Sequence, residues 1–341
     1  MSLGICNGLG HLELTGVGAG GSGLTWQDDG TWVIVSEKAV NTPTEGAELH
    51  TDANAASDPN GNEADATTGW TATDATLTSD SGTKNVGSYS LKYVATAAQG
   101  QIYRDLLGLS TGSWYALSYD GRHVGGGGTQ GVGFNASTSA GLALAHPFTV
   151  SQTTFTTKVY NFRYDGNYRY LIAREYSGTN DGGLYIDNLS LKPLTLSSLF
   201  SSLSLSTQDV VASADLVVTA GTQAGMVICL DSAASPANFC VCYHNGVNAI
   251  LEKCVAGTYT TLISAAATYS ANAPIVVHKD GTSVRLYYNN ALIGAVQTVS
   301  DAGIINNKLH GIFSTYSGNT IDNFNVYARG NQGQYLNIDR Y

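Results

Sequence analysis

The sequence predicts an all-β protein built as two β-sandwich domains behind an extended, Gly-rich N-terminal arm. Three observations carry this reading. The same phrase occurs twice, as Tyr185-Ile186-Asp187-Asn188-Leu189-Ser190-Leu191 and as Thr320-Ile321-Asp322-Asn323-Phe324-Asn325-Val326. An Ile-Asp-Asn start followed by alternating apolar residues reads as a strand entered through a polar turn, so each domain is expected to close on an equivalent last strand. The chain has 341 residues, enough for two domains. Short β-branched and aromatic runs lie between Gly-rich turns, and no segment has the period of an amphipathic helix.

Each segment has its own justification. Residues 1–45 form the arm: Gly16–Gly23 is too glycine-rich to build a core, whereas Leu12-Glu13-Leu14 and Trp32-Val33-Ile34-Val35 are strand-like. Such an arm could complete a neighbour's sheet edge or be a tail with one hairpin. The first domain is 46–194. Tyr89, Leu91 and Tyr93 share one strand face; Tyr115, Leu117 and Tyr119 share another. Tyr160, Phe162 and Tyr164 run to a turn at Asp165-Gly166-Asn167, and Tyr168, Tyr170 and Ile172 return. Lys192-Pro193 marks the exit. Leu194–Ser206 reads either as a linker or as the next entry strand. The second domain is 195–329, with a hairpin from Ile275–His278 through Asp280-Gly281 to Val284, Leu286 and Tyr288. Residues 330–341 form a polar tail.

Composition narrows the function classes. Apolar residues make up 43% and charged residues 12%, about half the usual charged share. The net charge is −10, and the 16 basic residues form no cluster. Nucleic-acid binding and attraction to anionic membranes both need dense positive charge and are not expected. No 18-residue apolar stretch exists to span a bilayer, and no signal peptide is recognised. Of five cysteines, Cys229, Cys240, Cys242 and Cys254 fall in the second half and read as buried core thiols. A cross-strand disulfide such as Cys229 with Cys242 stays open.

No organic cofactor is expected. Gly16-x-Gly18-x-x-Gly21 has no following helix to receive a pyrophosphate. Gly108-Leu109-Ser110-Thr111-Gly112 has the spacing of a nucleophile elbow, but a strand follows it where the elbow needs a helix. Glycoside hydrolysis needs paired carboxyls, and Glu252 is the only glutamate after Glu175. The protein is therefore expected to be a non-enzymatic structural or display protein; the alternatives are a secreted polysaccharide-active enzyme or its accessory module, and a purely architectural protein without sugar binding.

Several phrases carry a resemblance. With Gly69-Trp70, Gly87–Tyr93, Gly112–Tyr119 and Tyr185–Asn188, residues 46–194 resemble the jelly-roll carbohydrate-binding modules found beside glycoside hydrolases. With Ala224–Val227, Asp280–Asn289 and Ile321–Phe324, residues 205–328 resemble concanavalin A-like, laminin-G-like sandwiches. Tandem modules of this kind with a Gly-rich start are similar to structural or decoration proteins of bacteriophage particles. The resemblance implies a polysaccharide or glycan partner and a virion or extracellular surface location. It also implies contact with other copies, or with a capsid or tail scaffold, through residues 1–45. Sugar stacking on aromatics, with Arg orienting hydroxyls, singles out Trp114, Tyr119, Arg122, Tyr164, Tyr168 and Arg174. A structural calcium, as in such modules, would use Asp58, Asn60 and Glu63 of an early loop together with Asp187. Alternation puts Asp187 on the face of Leu189 and Leu191, where a carboxylate needs a cation or several N–H donors. The alternative is that Asp187 and Asp322 only cap turns.

Overall fold

The computed structural model describes residues 11–14, 24–27, 32–36, 38–49, 67–106, 108–125, 130–139, 145–175, 182–196, 208–232 and 236–328. These residues form antiparallel strands and one short helix. Two compact units result. One is Glu45–Leu194, here the inserted sandwich. The other joins chain before Glu45 to chain after Leu194 and is the split sandwich.

At the N-terminal end β1 (His11–Leu14) pairs with β2 (Leu24–Gln27), and β3 (Trp32–Val35) pairs with β4 (Lys38–Asn41). The inserted sandwich follows: β5 (Thr44–Glu45), β6 (Thr71–Thr73), β7 (Ala75–Asp80), β8 (Ser90–Ala95), β9 (Gln101–Asp105), β10 (Trp114–His123), β11 (Gln130–Asn135), β12 (Ala145–Val150), β13 (Thr156–Arg163), β14 (Tyr170–Glu175) and β15 (Gly183–Thr195). One sheet has the order β13-β10-β15-β8-β7, with β5 also against β15; the other is β12-β11-β14-β9-β6. Alternation sends Leu91, Tyr93, Leu117, Tyr119 and Ile186 inward from the first sheet. Ile102, Phe134, Leu171 and Ala173 meet them from the second. Aromatic rings fill much of the space between; Phe134 and Phe162 centroids are 4.6 Å apart. Lys192-Pro193, expected as the exit, lies inside β15, where the Pro193 carbonyl accepts Gly46 N–H at 2.8 Å.

The split sandwich holds β16 (Val210–Val217), β17 (Ala224–Leu230), β18 (Phe239–His244), β19 (Asn248–Val255), β20 (Thr258–Ala266), β21 (Ala273–Asp280), β22 (Ser283–Tyr288), β23 (Ala291–Thr298), α1 (Ala302–Ile305), β24 (Leu309–Ser314) and β25 (Thr320–Ala328). Its sheets run β23-β22-β21-β16-β25-β4-β3 and β20-β19-β18-β17-β24. The hairpin read as part of the arm thus pairs within its own chain. Ala39 lies opposite Ile321, and Asn41 Nδ2 donates to the Ser314 carbonyl at 2.8 Å. Trp32 is 5% exposed in the core, which explains an indole otherwise costly to leave in water.

Cys229, Cys240, Cys242 and Cys254 are buried free thiols. Burial pushes the Cys229 and Cys242 thiols up to about 12. They act as small apolar groups. The same core holds His310, whose burial, with Lys279 nearby, lowers its pKa to about 3.

The repeated phrase has a structure that differs in part from the sequence expectation. The second copy opens β25 at Thr320, as expected, whereas the first begins two residues inside β15; both carry a β-bulge. Register steps from Ser118↔Ser190 to Asp120↔Asp187, and from Ser213↔Asn325 to Asp215↔Asp322. In each case the last strand carries one extra residue. Asn188 and Asn323 both sit at φ 49, the left-handed region that Asn tolerates better than most residues. Each Asn amide reaches across to the neighbouring strand's carboxylate: Asn188 Nδ2 to Asp120 Oδ2 at 3.4 Å, Asn323 Nδ2 to Asp215 Oδ2 at 2.7 Å. Each Asp accepts the following backbone N–H at 2.7 Å. The extra residue resets the alternation. Ile186 and Leu189 both face the core, so Asp187 faces outward, not with Leu189 and Leu191 as expected.

Two outcomes test this account. Asn188→Val forces a β-branched residue into positive φ and should cost about 2 kcal/mol in chemical denaturation, whereas Asn188→Gly should cost less than about 1 kcal/mol. The His310 imidazole is held neutral in the folded state but charges below about 6.5 in the unfolded chain. Its stabilisation is therefore complete above pH 6.5 and is lost as pH falls toward 3. The melting temperature should drop across that window, and His310→Gln should flatten the drop.

Candidate functional site

The sequence candidates do not converge. Tyr119, expected as a sugar platform, is fully buried in the core, because it shares the inward face of β10 with Tyr115 and Leu117. Trp114 and Arg122 share the outer face of β10 but are eight residues apart, roughly 26 Å along a strand. The Arg163 guanidinium lies 5.8 Å from the Trp114 ring centroid. Tyr164 and Tyr168 pack against the core at one hairpin end, where Tyr164 Oη donates to the Tyr168 carbonyl at 2.7 Å. Burial, then Asp165, raises the Tyr168 pKa. Arg174 belongs to the other sheet and is 2% exposed, its Nε donating to Gln101 Oε1 at 3.1 Å.

That outer face of the five-stranded sheet gathers other residues. Ile102, Val132, Phe134, Leu171 and Ala173 face the core. Gln101, Tyr103, Asp105, Gly131, Gly133, Asn135, Tyr170, Ile172 and Arg174 therefore face out. Register aligns Gly131, Arg174 and Gln101 in one row, Gly133, Ile172 and Tyr103 in the next, and Asn135, Tyr170 and Asp105 in a third. Gly131 and Gly133 of β11, an interior strand of this sheet, are buried. Tyr103 and Tyr170 are half-buried, centroids 5.6 Å apart and edge to face. Arg169 lies 5.1 Å over Tyr170 and binds Asp105 Oδ2 through Nε and Nη2, both at 2.9 Å. Asp105 Oδ1 is enclosed without a donor. At the opposite row Gln101 Nε2 donates to the Thr138 carbonyl, so the connection after β11 reaches back across this face. Tyr103, Tyr170, Asp105, Asn135 and Gln101 escaped sequence reasoning. The alternation Gln101-x-Tyr103-x-Asp105 around the apolar Ile102 was the available signal.

Among the described residues, Asp120 and Asp187 are carboxylates paired on neighbouring strands. Both are saturated. Asp187 Oδ2 accepts Asn85 N–H at 2.5 Å and Val86 N–H at 3.1 Å, and Oδ1 accepts Asn188 N–H. Asp120 accepts Thr157 Oγ1 at 2.6 Å and Asn85 Nδ2 at 2.8 Å. Desolvation raises the Asp187 pKa; the three backbone N–H groups oppose it, and Asp120 adds to it. Of the two requirements set for a buried carboxylate, N–H donors are the one met, so Asp187 does not fit as a calcium ligand. Asp58, Asn60 and Glu63 lie outside the described residues. Gly108–Gly112 is an inter-strand turn, closed by Gly112 N–H on the Tyr164 carbonyl at 2.7 Å.

No protein family matches the chain, and no curated protein does. Among solved structures the chain is similar to carbohydrate-binding module CBM66 from Bacillus subtilis, at 14% identity over 40% of this chain and 86% of that one, TM-score 0.33. It is also similar to the CBM22-1 xylan-binding domain of Paenibacillus barcinonensis Xyn10C, at 13% identity over 37% and 86%, TM-score 0.31. The tandem CBM22-1–CBM22-2 of that protein aligns with 78% of this chain and 95% of its own, at 11% identity and TM-score 0.35. Likeness at this level identifies neither a ligand nor a reaction.

Asp187→Ala leaves three partly buried backbone donors without their acceptor and should cost about 1–3 kcal/mol in urea denaturation. In the wild type, a carbon-detected titration should place the Asp187 carboxyl above 3.8. The folded state then holds that proton more tightly than the unfolded chain, so this group's contribution falls as pH rises from 3.8 through the raised value.

Proposed function

We propose that the inserted sandwich is a non-enzymatic glycan-binding module, displayed in copies on a virion or another extracellular surface. The observation that carries this reading is the partly exposed Tyr103–Tyr170 pair, set on a sheet between polar groups. A pyranose ring offers apolar C–H faces and a rim of hydroxyls. Flat rings with few rotatable bonds take the C–H face at low entropic cost. The exposed Arg169 guanidinium, lying over Tyr170, donates to the sugar oxygens. Carboxylates arranged for hydrolysis do not accompany them: the paired Asp120 and Asp187 have their oxygens occupied by donors. Attachment to a scaffold falls to residues before Trp32, because Trp32–Asn41 is engaged in the split sandwich's own sheet. Copies on one particle then sum weak single-site affinities through avidity.

A neutral-oligosaccharide array with a parallel reducing-sugar assay tests this. The wild type should bind and release no reducing ends. Tyr103→Ala and Tyr170→Ala should each weaken binding at least about tenfold, on the scale of a lost stacking partner. Reducing-sugar release, or binding indifferent to both substitutions, would overturn the assignment.

A further inference from the structure

The opposite sheet of the inserted sandwich carries a second, chemically different cluster. Register places Arg122 of β10 beside Tyr185 of β15, and Tyr185 beside Lys92 of β8, in one cross-strand row. The Arg122 guanidinium lies 5.6 Å from the Tyr185 centroid and 5.9 Å from the Phe155 centroid. Lys92 Nζ lies 5.2 Å over the same Tyr185 ring. The Tyr185 hydroxyl, more than Asp80, raises the Lys92 pKa. Asp80 is 3.6 Å from Lys92.

Arg122 is held by rings rather than by an acceptor. Among the described residues no carboxylate lies within ion-pair distance of it, and its Nε is enclosed without a hydrogen-bond partner. Asp120 and Asp187, one row along the sheet, are turned to Thr157 and to the backbone at Asn85 and Val86. A guanidinium held between two rings presents its donors in a fixed fork. The ligand group that matches a fork is a planar or tetrahedral oxyanion, bound through two parallel N–H···O bonds. Tyr185 is buried beneath the two cations and fixes them, and the partly exposed Phe155 ring suits the C–H face of the sugar that carries the oxyanion.

We infer that Arg122, with Tyr185, Phe155 and Lys92, forms a second saccharide subsite that takes an oxyanion-bearing residue, a hexuronate carboxylate or a sulfate ester. The saccharide part rests on the glycan reading above, but the subsite lies on the other sheet and uses none of the same residues.

The full chain is titrated calorimetrically with neutral, hexuronate and sulfated oligosaccharides of matched length. Hexuronate or sulfated oligomers should bind with an affinity that falls as salt rises. Arg122→Gln should weaken that binding at least tenfold, and Arg122→Lys, which keeps the charge but not the fork, should give an intermediate loss. Tyr103→Ala should leave it unchanged. Preference for the sulfated over the hexuronate series would identify the oxyanion as sulfate. Acidic oligomers that bind no better than neutral ones, or bind Arg122→Gln as well as the wild type, would overturn the subsite. Melting curves check that both Arg122 variants fold; should Arg122→Gln not fold, Arg122→Lys carries the comparison. Failure of the Tyr103 face instead shows as lost neutral-oligomer binding with the acidic series intact.

Discussion

Both sandwiches depend on the same device, a one-residue bulge in the last strand locked to a carboxylate on its neighbour. In the inserted sandwich the elements are Ser118-Tyr119-Asp120 against Ile186-Asp187-Asn188; in the split one, Ser213-Ala214-Asp215 against Ile321-Asp322-Asn323. The Asn occupies a backbone conformation that disfavours branched side chains and uses its amide to tie the two strands. Because the extra residue flips every side chain beyond it, the bulge decides which residues are core and which are surface. Leu189 and Leu191 pack inside only because Asn188 absorbs the offset.

The two copies are used differently. In the inserted sandwich the connection between β7 and β8 closes over the staple, and Asn85 and Val86 donate to Asp187. That enclosure makes the carboxyl reluctant to ionise. At Asp322 the hydrogen bonds around the bulge are exposed. A feature that reads as a metal site in sequence is therefore a backbone clamp in one unit and a surface tie in the other.

The division of labour between the sheets of the inserted sandwich follows from pleat geometry. Inward positions are taken by Leu, Ile, Phe and Tyr, so ligand chemistry has only the outward positions left. On the five-stranded sheet these hold the Tyr103–Tyr170 pair with Asp105 beside it. On the other sheet they hold the Arg122–Tyr185–Lys92 row. Tyrosine abundance alone did not separate the two uses. Tyr115, Tyr119 and Tyr93 are core residues with the same local sequence pattern as Tyr103.

The sequence by itself determined the all-β class, the existence of two closing strands marked by Ile-Asp-Asn, and the burial of the second-half thiols. Each follows from local periodicity and side-chain type, which act within a few residues. Tertiary structure alone decided that Trp32–Asn41 completes the split sandwich's sheet, that Asp187 points away from Leu189, and that Tyr103 meets Tyr170. Those outcomes rest on cross-strand register between segments far apart in the chain. A single bulge reverses register parity, and no local pattern of apolar residues encodes where it falls.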